Sequence, residues 1–321
     1  MARHLLRSFL LVLVVLSIVV PTSSSTLAAE KLRYATAFKG PEYDMTALAA
    51  EERGFWKRYG LETKWFSMKG GSPTFQALAA GSIDMGTTQA ITTIQAASRG
   101  LPAVVVADMG YVEDWKMWVR RDSPVKKPRD LRGGKVGTSR FGGAAHAFTL
   151  AFLRGLGLEK DVKIVAVGGL SSRIAALRSG AIDGFLLTLP PLANLKAKGE
   201  IRGMGSLRAN LPRKWMGMIL FASRKVVQEK PRIVSAGVKA ILAAADFVER
   251  NPEWTLAKLK SYSRFSEEAV KEVYATLRFS KDGKIDPEAL KNAIDFLLEY
   301  RIVRKEKAPA LENIYTNQFV Q

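Results

Sequence analysis

Thr138-Ser139-Arg140-Phe141-Gly142-Gly143 sets two hydroxyls, a guanidinium and two glycines between a short strand at 135–137 and an apolar helix at 143–155. A glycine-rich turn that opens into a helix aims several unpaired backbone N–H groups, and the positive end of the helix dipole, at one spot. The chemistry that suits such a turn is capture of an anion or polar ligand group, with Arg140 tilting the choice towards an acid. A purely structural turn is the alternative. Nucleotide chemistry does not fit, because the Gly-x-Gly-x-x-Gly spacing is absent and no Gly-Lys-Ser/Thr closes a phosphate-binding loop.

Catalysis finds little to work with. The chain has no cysteine, which excludes thiolate nucleophiles, disulfides and Cys-based zinc or iron-sulfur sites. Beyond residues 1–29 it keeps one histidine, His146, so two-histidine acid-base schemes and His-based metal clusters are excluded as well. His146 lies on the apolar helix and reads as a structural residue. There is no Gly-x-Ser-x-Gly elbow. Asp84 and Asp183 look like paired carboxylates, but they occupy matching places in an internal repeat, which favours structural hydrogen bonding in each copy. The run Asp282-Gly283-Lys284-Ile285-Asp286 fails as a calcium loop, since alignment on Gly283 puts Arg278 and Ala289 where carboxylates are required. No metal and no cofactor are expected, and an exported enzyme is the second reading.

The elements that must position these residues alternate between strands and helices. Period-two alternation predicts a strand over 31–37, and apolar spacing predicts a helix over 45–59 with Asp44 as N-cap. A strand over 61–66 and a helix begun by Ser72 and Pro73 follow. A short strand at 83–86 leads to Thr87-Thr88-Gln89, three hydrogen-bonding side chains at the start of the next helix. The apolar run 103–107 suits a strand buried on both faces. Strands at 135–137, 162–167 and 182–187 then alternate with helices at 143–155, 171–179 and 191–198. The segment 77–84 echoes 176–183, with Ala77 and Ala176 lying 99 positions apart. Two related α/β lobes with a cleft between them follow from that repeat. A strand at 215–222 is succeeded by helices at 231–250, 252–263, 267–277 and 287–300, with Ser266 and Asp286 as N-caps.

Aromatic residues Phe38, Trp115, Phe141 and Trp215 sit in or beside the inter-strand loops, where ligands bind in α/β sheets. Residues 1–29 read as an export signal: Arg3 and Arg7, a short apolar run, then small residues allowing cleavage after Ala28 or Ala29. The apolar run of about 12 residues is shorter than the roughly 20 that a membrane span needs. With no Cys after the cleavage site, a lipoprotein is excluded, and the expected compartment is the periplasm. The net charge of +19 is spread through amphipathic helices and carries no nucleic-acid signature.

Three features together resemble the periplasmic solute-binding proteins of ABC importers: the run Glu52-Arg53-Gly54-Phe55-Trp56-Lys57-Arg58-Tyr59-Gly60-Leu61, the two Gly-x-Ile-Asp segments, and the run Asp130-Leu131-Arg132-Gly133-Gly134-Lys135-Val136-Gly137. The group is the one associated with nitrate, sulfonate, taurine and thiamine-pyrimidine precursors. The resemblance implies a type II periplasmic binding protein: two pseudo-symmetric α/β lobes joined by two hinge crossings, here near Trp118 and Met218. Lobe 1 would comprise 30–118 plus 219–321 and lobe 2 would comprise 119–218. It further implies ligand-lining loops at Phe38-Lys39, Thr87-Thr88-Gln89, Thr138 to Gly143, and Leu187 to Pro190 including Thr188. Arg140, Gly142 and Gly143 stand where the family often carries Ser or Thr, which weighs against the usual sulfonate or taurine ligand. The expectation is a monomer that binds a small, anionic organic molecule, with Phe38, Trp115 or Phe141 on its carbon skeleton, and delivers it to an ABC permease. Service to a sensor or a non-ABC importer is the remaining variant.

Overall fold

The computed structural model describes residues 29–320; the expected export signal lies outside them, save its last residue. The chain opens with β1 (Glu30–Thr36), α1 (Pro41–Glu52), α2 (Phe55–Arg58), β2 (Leu61–Ser67), α3 (Gly71–Ala79), β3 (Met85–Gln89), α4 (Ala90–Ala97) and β4 (Ala103–Asp108). Next come β5 (Lys116–Arg120), β6 (Lys135–Thr138), α5 (Ala144–Gly155), β7 (Lys163–Ala166), α6 (Leu170–Arg178), β8 (Gly184–Leu187), α7 (Ala193–Ala197) and β9 (Ile201–Ser206). The remainder is β10 (Met218–Ser223) followed by helices α8 (Arg224–Glu229), α9 (Pro231–Arg250), α10 (Pro252–Ser263), α11 (Glu267–Thr276) and α12 (Pro287–Glu299).

Two five-stranded sheets result, ordered β2-β1-β3-β10-β4 and β7-β6-β8-β5-β9. They are built alike. β1 runs parallel to β2 and β3, and β6 runs parallel to β7 and β8. The strand that enters each sheet directly from the other, β10 or β5, is antiparallel to both of its neighbours. This is the periodic arrangement expected from the sequence echo, and the echoed aspartates show why the echo persists. The Asp84 N–H donates to the Arg33 carbonyl at 2.8 Å while its carboxylate accepts the Arg33 N–H at 2.9 Å. Asp183 does the same with Lys135, at 2.8 and 2.7 Å. Each aspartate thus fastens the first strand of its own repeat, as the structural reading holds.

The chain passes between the sheets in residues 109–115 and 207–217. Trp118 sits inside β5, donating its indole N–H to the Leu187 carbonyl at 2.8 Å, and Met218 is the first residue of β10. Aromatic rings line these joining segments. Phe148 of α5 lies 4.8 Å from the Trp115 ring and 6.3 Å from that of Trp215, and Phe296 of α12 lies 5.2 Å from Trp215. Trp215 is therefore core. The C-terminal helices cover the first sheet, with α9 burying Ile233, Val234, Val238, Ile241 and Val248.

Several local expectations are corrected. The helix assigned to 45–59 begins at Pro41 and breaks at Gly54, whose φ of 69° is the left-handed region that favours glycine. Asp44 is not its cap; the carboxylate instead accepts from the Gly40 N–H and the Ser67 hydroxyl, and it also bonds Thr36 and Tyr262. Ser72 is already inside α3, which starts one residue earlier from Gly70. Thr87-Thr88-Gln89 forms the end of β3 rather than a helix start, because β3 is covered on both faces and β1 and β10 pair with its edges. The strand assigned to 215–222 starts at Met218. Ser266 and Asp286 do cap their helices, accepting from the backbone of Ala269 and Glu288.

Candidate functional site

A cavity of about 550 Å³ opens between the two sheets, lined by the segments that follow the carboxyl ends of β1, β2, β3, β6, β7 and β8. Parallel strands present their following loops at one edge, so two facing sheets of three parallel strands each bring six such loops together. From the first sheet come Phe38 and Lys39, Glu42 and Tyr43 at the start of α1, Gln89, and Thr92 and Gln95 of α4. The second sheet contributes Ser139, Arg140, Gly143, Arg173 and Thr188, and the joining segment contributes Trp115.

Eight of the residues singled out from the sequence line this space: Phe38, Lys39, Gln89, Trp115, Ser139, Arg140, Gly143 and Thr188. Five do not. Thr87 and Thr88 are fully buried in β3, where Thr87 bonds the Tyr34 hydroxyl, and Thr138 is fully buried at the end of β6. Phe141 is 58 % exposed, edge-on to His146, and outside the cavity lining. Gly142, at φ 71°, turns its carbonyl to accept from Gln95 Nε2 at 3.3 Å and its N–H to donate to His146 Nδ1 at 3.3 Å. It links the second-sheet turn to α4 of the first, and it gives His146 its structural partner.

Charge is arranged in depth. Lys39, Lys69, Arg99 and Arg140 are exposed around the rim. Arg173 is the cation of the interior: it is 6 % exposed, its guanidinium lies 5.2 Å over the Phe185 ring, and its Nε and Nη1 have no partner. Burial pulls it down to about 10. Sequence reasoning missed it because a lone Arg on a helix reads as solvated. The signal that could have found it is register, for Arg173 shares a face with Leu170 and Leu177, three residues before and four after it.

Two carboxyls are buried as well. Glu42 is 4 % exposed and its Oε2 has no partner. Burial, aided by the nearby Glu113 and Asp44, raises it to about 8, opposed by its own backbone N–H and the Thr188 hydroxyl. Glu113 is buried too and raised by that burial, but it is satisfied, accepting from Gln89 Nε2 at 3.0 Å and the Tyr43 hydroxyl at 3.1 Å. Among the described residues no group of three or more His, Cys, Asp or Glu could hold a metal ion, and no helix is long and apolar enough to cross a membrane.

Elements of the two sheets also touch outside the cavity. Asn194 of α7 donates to the Arg264 carbonyl at 3.3 Å and accepts from the Ser266 N–H at 3.0 Å. Arg154 of α5 pairs with Glu299 of α12 at 2.8 Å.

Residues 43–255 match the model of the family described as NMT1/THI5 like. A binding protein of Brucella abortus (strain 2308) is 28% identical over 213 residues, covering 65% of this chain and 64% of that protein; the match thus spans just under two thirds of the relative's length. The solved periplasmic aliphatic sulphonate binding protein SsuA from Escherichia coli is 20% identical, with a TM-score of 0.75 over 91% of this chain and 93% of its own. The desulfurization enzyme DSZB superposes with a TM-score of 0.65 at 17% identity, over 90% of this chain and 97% of its own. The fold is that of the periplasmic binding proteins.

Proposed function

The chain belongs to the NMT1/THI5-like family, and from that premise we propose that it is a periplasmic solute-binding protein. It captures a small, anionic organic molecule between two lobes and delivers it to the permease of an ABC importer. One lobe carries β1–β4, β10 and the C-terminal helices, the other β5–β9, and residues 109–115 and 207–217 join them. The observation that carries this reading is Arg173, which lines the interlobe cavity with its guanidinium buried and two of its nitrogens unpartnered. A buried charge without a partner is costly, and a bound acid offsets that cost. The role first assigned to Arg140 passes inward to Arg173, while Arg140 and the other rim cations draw anions towards the mouth. Phe38 and Trp115 supply apolar surface for the carbon skeleton. The relatives named for binding support the same reading.

An enzyme in the same cleft is the second reading, prompted by the likeness to DSZB. The absence of cysteine removes thiol chemistry, and His146 is held by Gly142 away from the cavity lining. Calorimetric titration with carboxylates, sulfonates and nitrate tests the proposal. At least one anion class binds the wild type, and Arg173→Gln weakens it at least tenfold, as expected on losing a charged hydrogen-bond donor worth about 1.5–3 kcal/mol. No binding by any class, or chemical turnover of a bound compound, overturns it.

A further inference from the structure

Positive charge is not shared evenly along the chain. Residues 119–218, which build most of the second sheet, hold 19 Lys and Arg against 6 Asp and Glu, and so carry 13 of the net +19. All six acids are committed. Asp122, Asp161, Glu159 and Glu200 pair with Arg120, Arg132, Arg154 and Arg178, while Asp130 and Asp183 accept from the backbone of Lys126, Lys127 and Lys135. Arg121, Lys126, Lys127, Lys135, Lys163 and Lys198 are exposed, and no uncommitted carboxylate remains for them in that stretch. Strand register gathers them at one end of the sheet. Lys135 and Lys163 are Cα partners at the amino ends of β6 and β7, and the Asp183 N–H bonds the Lys135 carbonyl just before β8. β5 is antiparallel to β8 and β9, so its last residue, Arg120, paired with Ile201, lies at the same edge, about 10 Å from Lys135 at two strand spacings. The connection 121–134 leaves β5 and enters β6 at this end. The solute cavity is at the other, after the carboxyl ends of β6, β7 and β8.

A second cavity, of about 460 Å³, opens at this basic end. Ile174 and Leu177 of α6, Leu195 of α7 and Ile201 of β9 give it an apolar lining, and Arg121 and Arg178 border it. We propose that this end of the second sheet docks on an anionic phospholipid bilayer, its cations against headgroup phosphates and its cavity around the upper part of one acyl chain. Cations near an anionic bilayer are attracted additively, and the attraction fades within a screening length of the surface. A polyanion without a tail satisfies the cations but leaves the apolar cavity unfilled, which favours lipid over nucleic acid. Because the solute cavity opens at the opposite end of the strands, docking leaves its mouth clear. The proposal goes beyond solute capture and does not depend on it.

Sedimentation of the purified protein with extruded vesicles tests it, using phosphatidylcholine alone and equal parts of phosphatidylcholine and phosphatidylglycerol. The protein sediments with the mixed vesicles and not with phosphatidylcholine alone, and about 1 M salt, where the screening length is about 3 Å, weakens binding at least tenfold. Replacing Lys126, Lys127, Lys135 and Lys163 together by Gln weakens it at least a hundredfold, at about fivefold for each cation removed. The same loss of charge at Lys230, Arg232, Lys239 and Lys284, exposed in the C-terminal region, weakens it less than tenfold. Leu195→Asn keeps every cation and weakens it at least threefold by making the cavity polar. Equal partition onto the two kinds of vesicle, equal loss in the two quadruple variants, displacement by inorganic phosphate at the concentration of lipid phosphate, or tighter retention on duplex DNA at the same salt overturns the bilayer as partner. An unchanged Leu195→Asn variant overturns the seating of an acyl chain. Thermal melts confirm that each variant is folded, and failure here leaves anion capture in the other cavity standing.

Discussion

Replacing Glu42 by Gln removes a titrating proton from the interior while keeping the shape of the neutral side chain, so its effect on stability must depend on pH. The carboxyl rises from its ordinary 4.5 to about 8 in the folded protein, chiefly through burial. A raised folded value means that the native state holds a proton which the unfolded state has given up. Stability from this group is therefore complete below 4.5 and is lost as pH climbs through 8. At 1.36 kcal/mol per pH unit per proton, the full loss is about 5 kcal/mol, an upper bound because the interior relaxes around a charge. About 4 kcal/mol of that loss falls between pH 5 and pH 8.5, so at roughly 2 °C per kcal/mol for a chain of this size wild type falls by up to about 8 °C relative to Glu42→Gln over that window. Differential scanning calorimetry at those two pH values measures it. Parallel melting curves, with the same gap between wild type and variant at both, refute the assignment of a buried neutral carboxyl. A gap that opens in the other direction places a carboxylate there at pH 5.

Two further outcomes follow from hydrogen bonds at the repeat and between the lobes. Asp84→Ala strips the backbone N–H and the guanidinium of Arg33 of their acceptor and is expected to cost about 2–3 kcal/mol, whereas Asp183→Ala frees the Lys135 N–H and costs about 1 kcal/mol; equal urea midpoints for the two variants contradict the ordering. Asn194→Ala removes both hydrogen bonds from α7 to the 264–266 turn and is expected to enlarge the radius of gyration measured by X-ray scattering without changing far-ultraviolet circular dichroism, and an unchanged radius assigns these bonds no part in holding the lobes together.

The duplicated architecture was legible because the Gly-x-Ile-Asp echo marks a backbone requirement, and the same aspartate bonds recur wherever the strand order recurs. The helical C-terminal region was legible for a similar reason: α9 and α12 bury one face and are started by local signals, Pro231 at the first position of α9 and the Asp286 cap on α12. β3 was harder. Met-Gly-Thr-Thr-Gln has no alternation of apolar and polar residues, since the strand is covered on both faces, and its hydroxyls read as a cap until β10 is placed beside it. The site was legible as loops but not as residues. Position along the chain found Phe38, Gln89, Ser139, Gly143 and Thr188, yet Glu42 and Arg173 acquire their meaning only from the other sheet. A charge on a helix is solvated by default, and only tertiary packing removes the water.

The aromatic rings of the joining segments have an optical consequence. Trp115 borders the cavity, whereas Trp215 is packed between Phe148 and Phe296, away from the cavity lining. The first indole senses what occupies the cavity, and the second senses how α5 and α12 sit against each other. The chain has six tryptophans, so variants that keep Trp115 or Trp215 as the sole indole separate occupation of the cavity from movement of α5 against α12, and the protein supplies its own dyes for following both in real time.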